Sequence, residues 1–283
     1  MKKIITFFIS VLIFSCVSTK VPSEKFSQIP FNEPKIFQEN KNLNIELKNP
    51  VESPLRVIFE SNNPNLNSEF ENLGAVLLKA KSDTIISIEN IPEFDQTTWF
   101  KYNWYFGDTS KTVEQIKLAL PFPKGKQYKI IQGNNTNHTH NTDWSRYAVD
   151  FDLKINDTIC SATNGFVVGV IDKYKFGGKG NEWKPYGNFI TIYEPNSGIF
   201  TQYVHLTENG SFVKLGDKIK QGQPIGLSGM TGQTDIEHLH FNCLVPANNK
   251  DGLKSIAFEF IGGYKSTELK KGDLIKNDSL KPY

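Results

Sequence analysis

The sequence predicts an all-β protein in two successive parts. Three observations point there. The β-rich runs are short and bounded by Asn-Pro, Ser-Asp and Gly-Asp turn signals. No segment carries a sustained helical period. In the second half, glycines recur at turn spacing, as in Gly216-Asp217, Gly222-Gln223, Gly226 and Gly229. The 283 residues suffice for about two ordinary domains. With 22% charged and 38% hydrophobic residues the chain is neither disordered nor a polytopic membrane protein. Its formal net charge of +2 gives no basic field for nucleic acid. Three cysteines without a C-x-x-C pair exclude a disulfide scaffold and a cysteine-rich zinc module.

The chain opens Met1-Lys2-Lys3 and continues with an apolar run, Ile4 to Phe14, too short to span a bilayer as a helix. Two lysines before a short apolar stretch read as a secretory signal. Its end, Phe14-Ser15-Cys16, resembles a bacterial lipoprotein cleavage box, with Phe14 bulkier than usual. Residues 1–16 are therefore expected to be a signal peptide that leaves Cys16 lipidated, anchoring the chain in the cell envelope, periplasmic or surface-facing. Residues 17–42, rich in Ser, Pro, Asn, Lys and Glu, are expected to be a tether.

Residues 43–119 hold several short β-rich runs, among them Leu43–Leu47, Leu55–Phe59, Thr84–Ile88 and Phe100–Phe106, and suggest a β-sandwich. Trp99, Tyr102, Trp104 and Tyr105 read as core and edge aromatics of that sandwich in preference to a sugar-stacking surface. Leu120-Pro121-Phe122-Pro123-Lys124-Gly125 marks a boundary. Longer strands follow, with Gly165–Ile171, Asn188–Tyr193, Gly198–Leu206 and His238–Val245 the clearest. Ser255–Phe260 and Gly272–Ile275 close the sequence as a C-terminal β extension, residues 247–283.

The chemistry sits in the second part. His238-Leu239-His240-Phe241 puts two imidazoles on one strand face, since residues i and i+2 point the same way. Tyr147-Ala148-Val149-Asp150-Phe151 sets a carboxylate in an apolar run, where a charge persists only when paired or metal-bound. His140 lies in a polar loop, and Tyr203-Val204-His205-Leu206 ends another strand. One Asp and two His with an open fourth position make a catalytic zinc site. Two further histidines are then free to move protons. Tyr203, two residues before His205, is expected on its strand face, within reach of a supporting hydrogen bond. Cys243, three residues from His240, faces away from a metal. Cys160 and Cys243 read as buried apolar thiols, with a bridge the alternative.

These residues resemble the zinc metallopeptidases of the lysostaphin/LytM type. The parts come in family order over roughly residues 120–246: Gln132-Gly133, Thr139-His140, the Asp150 strand, Ala162-Thr163-Asn164-Gly165, Tyr186-Gly187-Asn188, the His205 strand, Val213 to Gly226, Ser228 to Gly232, and His238 to Phe241. The resemblance implies a compact antiparallel β structure whose open groove carries zinc on its floor. It implies His140, Asp150 and His240 as ligands, with His140 chosen over His138, and His205 and His238 as the catalytic pair. It implies hydrolysis of peptide bonds in peptidoglycan cross-links or stem peptides. Glu237 stands where the family has proline, Asn242 where glutamate is common, and Asp157 where glycine is usual. Two rival readings carry over: a zinc-free scaffold that activates cell-wall amidases, which predicts missing ligands, and a surface protease acting on non-wall proteins.

Overall fold

The computed structural model describes residues 20–30, 33–93, 97–136 and 139–278. The expected signal segment with Cys16 lies outside these residues, as does His138. Among the described residues no helix is long and apolar enough to cross a membrane.

The N-terminal unit comprises β1 (Lys35–Glu39), β2 (Asn42–Lys48), β3 (Leu55–Ser61), α1 (Pro64–Leu73), β4 (Val76–Leu78), β5 (Asp83–Ile88) and β6 (Phe100–Phe106). Two three-stranded sheets, ordered β1-β2-β5 and β4-β3-β6, share one core. Period-two burial builds it: Leu43, Ile45 and Leu47 of β2 point inward, and Val57, Phe59 and Leu78 meet them from the other sheet. Tyr102 and Trp104 pack against this core, while Trp99 is exposed.

Helix α1 departs from the expected run of strands. Asn63 caps it, accepting from the Asn65 and Leu66 amides, and Pro64 sits in the first turn. It buries only Leu66 and Phe70, one i,i+4 pair in an Asn/Glu-rich decapeptide, so its apolar stripe leaves little trace in the sequence.

The described part of the segment expected to be a tether is also structured. Part of it is β1, paired with β2. Ahead of β1, residues 21–29 form a strap on the second unit. The Phe26 amide donates to the Tyr174 hydroxyl at 2.9 Å, and the two rings lie 5.1 Å apart. Ile29 is fully buried beside Val168 and Phe200. Val21 and Phe26 pack on Ile171, Tyr174, Trp183 and Tyr186. A few apolar residues in a polar segment suffice to fix it, because a ready apolar surface receives them.

The second unit begins with β7 (Lys117–Leu118), β8 (Gln127–Gln132), β9 (Val149–Phe151), β10 (Thr158–Cys160), β11 (Gly165–Ile171) and β12 (Gly177–Gly178). After a 3-10 turn at Asn181–Tyr186 come β13 (Phe189–Tyr193), β14 (Phe200–Val204), β15 (Leu206–Ser211), β16 (Lys218–Ile219), β17 (Pro224–Ser228) and β18 (Gly232–Gln233). The last are β19 (Leu239–Pro246), β20 (Leu253–Ser255), β21 (Glu259–Phe260) and β22 (Leu274–Lys276). The main sheet runs β16-β11-β13-β14-β19-β9-β8-β22, with β20 also on β19. The C-terminal strands are sewn into this unit: β22 adds to the β8 edge and β21 pairs with β7.

Strand β19 divides the structure. Leu239, Phe241, Cys243 and Val245 face the main core with Phe151, Tyr203 and Phe260. On its other face stand His240, Asn242 and Leu244, and Leu244 packs against Val51, Leu55 and Phe106 of the N-terminal unit. The N-terminal unit thus docks on the sheet face that carries His240.

Arg56 pins the two units together. It is 4% exposed. Its guanidinium donates to the carbonyls of Gly107 (3.0 Å), Gly252 (2.8 Å) and Ala247 (3.3 Å) and to Asn248 Oδ1 (2.9 Å). The fork geometry of arginine lets one side chain satisfy acceptors of both units. Cys160 and Cys243 are free and buried, and burial pushes their thiols up to about 11 and about 12. Replacement Arg56→Met strips these carbonyls of their donor. It is expected to lower unfolding free energy by about 3 kcal/mol in a urea titration, and an unchanged midpoint would refute the pin.

Candidate metal centre

Register brings the first two expected ligands together. Strands β9 and β19 are antiparallel with Asp150 directly opposite His240, so the two side chains share one face. His240 Nδ1 lies 2.9 Å from Asp150 Oδ1. His140 arrives from the loop after β8, its Nε2 3.2 Å from His240 Nδ1 and 3.3 Å from Asp150 Oδ1. A tetrahedron with metal–ligand bonds of about 2.0–2.1 Å has edges of about 3.3 Å. Three donor atoms at 2.9–3.3 Å therefore suit one small divalent ion. Among the described residues this is the one such group of His, Cys, Asp or Glu.

The ring tautomers are set by backbone oxygens. His140 Nδ1–H donates to the Gly133 carbonyl at 2.9 Å, which leaves the Nε2 lone pair for the metal. Gln132, opposite Asp150 in the β8–β9 pair, donates to Thr136 and Thr139 Oγ1 and so fixes the loop that carries His140. Burial pushes the His140 imidazole down, but the Asp150 carboxylate and the Gly133 carbonyl outweigh it and the net shift is up. Burial pushes Asp150 up, yet the surrounding imidazoles hold it well below the usual carboxylate range. Burial, with His140 and His238 beside it, lowers His240 against the pull of Asp150.

His205 and His238 complete the cluster. Their ring centroids are 4.5 Å apart, and His205 is 6.1 Å from His240. His238 donates from Nδ1 to the Ile236 carbonyl at 3.0 Å, and its Nε2 is 3.8 Å from Asp150 Oδ2. His205 donates from Nδ1 to the Thr231 carbonyl at 2.6 Å. Both rings thus present an Nε2 lone pair. Burial and the neighbouring imidazoles His238 and His240 hold His205 well below its ordinary value, so it is neutral near pH 7.

His205 has φ +70°, in the left-handed region. An uninterrupted strand would have pointed it into the core behind Tyr203; the left-handed residue turns it out to the metal face. For the same reason the expected Tyr203–His205 bond does not form. The Tyr203 hydroxyl accepts from the Ala162 amide at 2.6 Å and donates to Thr201 at 3.2 Å, wholly inside the core.

The departures from the family pattern have structural roles. Glu237 accepts from the Ile155 amide at 3.0 Å and pairs with Lys154 at 3.2 Å. Buried Asn242 donates to the Trp144 carbonyl and accepts from Ser255. Asp157 closes a turn by accepting from the Lys154 amide at 2.8 Å. Sequence reasoning gives no role to the carbonyls of Gly133, Thr231 and Ile236, because a backbone acceptor has no side-chain signature.

Residues 145–251 match Peptidase family M23, a span that starts downstream of His140. The chain is 32% identical over 138 residues to "Peptidoglycan DD-endopeptidase ShyB" of Vibrio cholerae, covering 47% of this chain and 29% of the relative. It is 32% identical over 150 residues to "Glycyl-glycine endopeptidase ALE-1" of Staphylococcus capitis, covering 52% and 33%. Among solved structures, the catalytic domain of lysostaphin from Staphylococcus simulans aligns at 27% identity over 46% of this chain and 87% of that one, with a TM-score of 0.33. The chain spans about a third of the length of these curated relatives.

A Cβ at Gly133 would overlap the Leu269 carbonyl. Gly133→Ala is therefore expected to displace the oxygen that orients His140 and weaken affinity for a divalent metal ion by about 10–100-fold in a competition titration; wild-type affinity would sink this account of the loop.

Proposed function

We propose that this chain, which carries a peptidase family M23 domain at residues 145–251, is a zinc metalloendopeptidase that cuts peptide bonds in peptidoglycan cross-links or stem peptides. The observation that carries the reading is the convergence of three donor atoms at 2.9–3.3 Å beside two imidazoles with free Nε2 atoms. The family match and the endopeptidase names of ShyB and ALE-1 support both reaction and substrate.

His140, Asp150 and His240 would hold the zinc. When bound, zinc supplies Lewis acidity that acidifies a water and polarises a carbonyl. His238 takes up the proton at Nε2, which lies 3.8 Å from the second oxygen of Asp150. His205, whose Nε2 lone pair also faces the site, accepts a hydrogen bond from the attacking water and holds it in place, and the protonated His238 returns its proton to the leaving amine. The amidase-activating scaffold reading predicts lost ligands, whereas this chain keeps all five residues.

The test is digestion of purified peptidoglycan by the chain lacking residues 1–16, with products read by mass spectrometry. New cross-link fragments are expected, absent with a chelator and reduced at least 100-fold in His205→Ala and His238→Ala, which keep their zinc. His240→Ala and Asp150→Ala should lose both zinc and turnover. Zinc-loaded protein that cuts nothing, or His238→Ala at near-normal rates, would overturn the assignment.

The opening Lys2-Lys3, the apolar run and Ser15-Cys16 support export and a lipid anchor on Cys16, and with it a cell-envelope location. Cells fed a tagged fatty acid should label the wild-type chain and not Cys16→Ser. Label that persists in the variant would exclude this anchor.

A further inference from the structure

Two buried side chains collect carbonyls around the left-handed turn at His205. Asn188 Nδ2 donates to the Leu206 carbonyl (3.3 Å), the Thr207 carbonyl (3.2 Å) and the Tyr174 carbonyl (2.7 Å). Thr231 Oγ1 donates to the same Leu206 carbonyl at 2.8 Å and accepts the Asn188 amide at 3.0 Å. The Thr231 carbonyl is the acceptor for His205 Nδ1–H. Both side chains are essentially inaccessible to solvent. A non-glycine residue held at positive φ persists only where its surroundings over-determine it, and here Asn188 and Thr231 do so.

The network does not stop at His205. Asn188 Oδ1 accepts the Tyr174 amide at 2.9 Å, closing a two-bond clasp between these residues. The Tyr174 hydroxyl in turn accepts the Phe26 amide of the N-terminal strap. An unbroken path of hydrogen bonds and one packed side chain therefore runs from the strap through Tyr174, Asn188 and Thr231 to the imidazole.

We propose that Thr231 and Asn188 are positioning residues for His205, and that the strap at residues 21–29 completes their support through Tyr174. This rests on the reading that His205 takes part in the reaction. A loosened Thr231 lets the His205 ring rotate away from the metal face without disturbing His140, Asp150 or His240. The strap acts at longer range, by fixing the segment that Asn188 clasps.

The experiment compares Thr231→Val, which removes the hydroxyl at equal volume, with Thr231→Ser, which keeps it. Four quantities are read: kcat, KM, zinc per chain, and the Nδ1–H proton resonance of His205 in histidine-labelled protein. Thr231→Val is expected to lower kcat about tenfold with KM within twofold and zinc unchanged. Its His205 resonance should broaden or exchange with solvent. Thr231→Ser should recover most of the turnover and the resonance. Tyr174→Phe, which deletes only the hydroxyl on the strap, should lower kcat two- to threefold and speed tryptic cleavage after exposed Lys25. Unchanged kcat and resonance in Thr231→Val would overturn the proposal, as would loss of zinc in step with activity, which marks general unfolding. Wild-type activity with slow Lys25 cleavage in Tyr174→Phe would overturn the strap's part. A wild-type chain that binds zinc and cuts nothing overturns the peptidase reading instead, and the His205 resonance then still decides whether Thr231 holds the ring.

Discussion

The register between β9 and β19 is the constraint on which the candidate metal centre depends. It sets Asp150 opposite His240, and it does so because Phe151, Leu239 and Phe241 are committed to the core on the reverse face. A slip of one residue would exchange the two faces, burying His240 and presenting Phe241 to the metal side. The site thus inherits its geometry from apolar packing that never touches a metal. Burial of those rings contributes the energy, and the alternation of the strand converts it into ligand placement.

Much of this could be read in the residues. The i,i+2 pairing of His238 and His240, the lone carboxylate in Val149-Asp150-Phe151 and the turn-bounded strands each follow from local pattern. What could not be read rests on backbone groups and on sparse apolar contacts. The turn-out of His205 depends on one φ angle, and the pattern Tyr203-Val204-His205 by itself argues for the core face. The tautomers depend on carbonyls of Gly133, Thr231 and Ile236, which every residue type possesses. Helix α1 announces itself by just two buried side chains, and the strap by Val21, Phe26 and Ile29 scattered among polar residues. For His205 and for the strap, a contact distant in sequence decides the local conformation.

The docking of the N-terminal unit follows from the same strand. Leu244 lies four residues from His240 on one face of β19, about 13 Å along the strand. Between them Asn242 and, on β14, Gln202 form a polar strip: Asn242 holds the Trp144 carbonyl and Gln202 donates to Thr191. The N-terminal unit therefore stands as a wall at one end of the sheet face that bears the metal donors. Arg56 makes this wall stiff, because its acceptors lie on both sides of the junction.

The strap gives the chain an unusual order of threading. It touches the second unit first, builds the N-terminal unit next, and only then returns to complete the second. Tension applied ahead of Val21 would be borne at Phe26 and Tyr174, on the unit with the histidines, before any of it reached the sheets of β1 to β6. The N-terminal unit is mechanically shielded from such a pull, and the support of His205 is the first element to feel it.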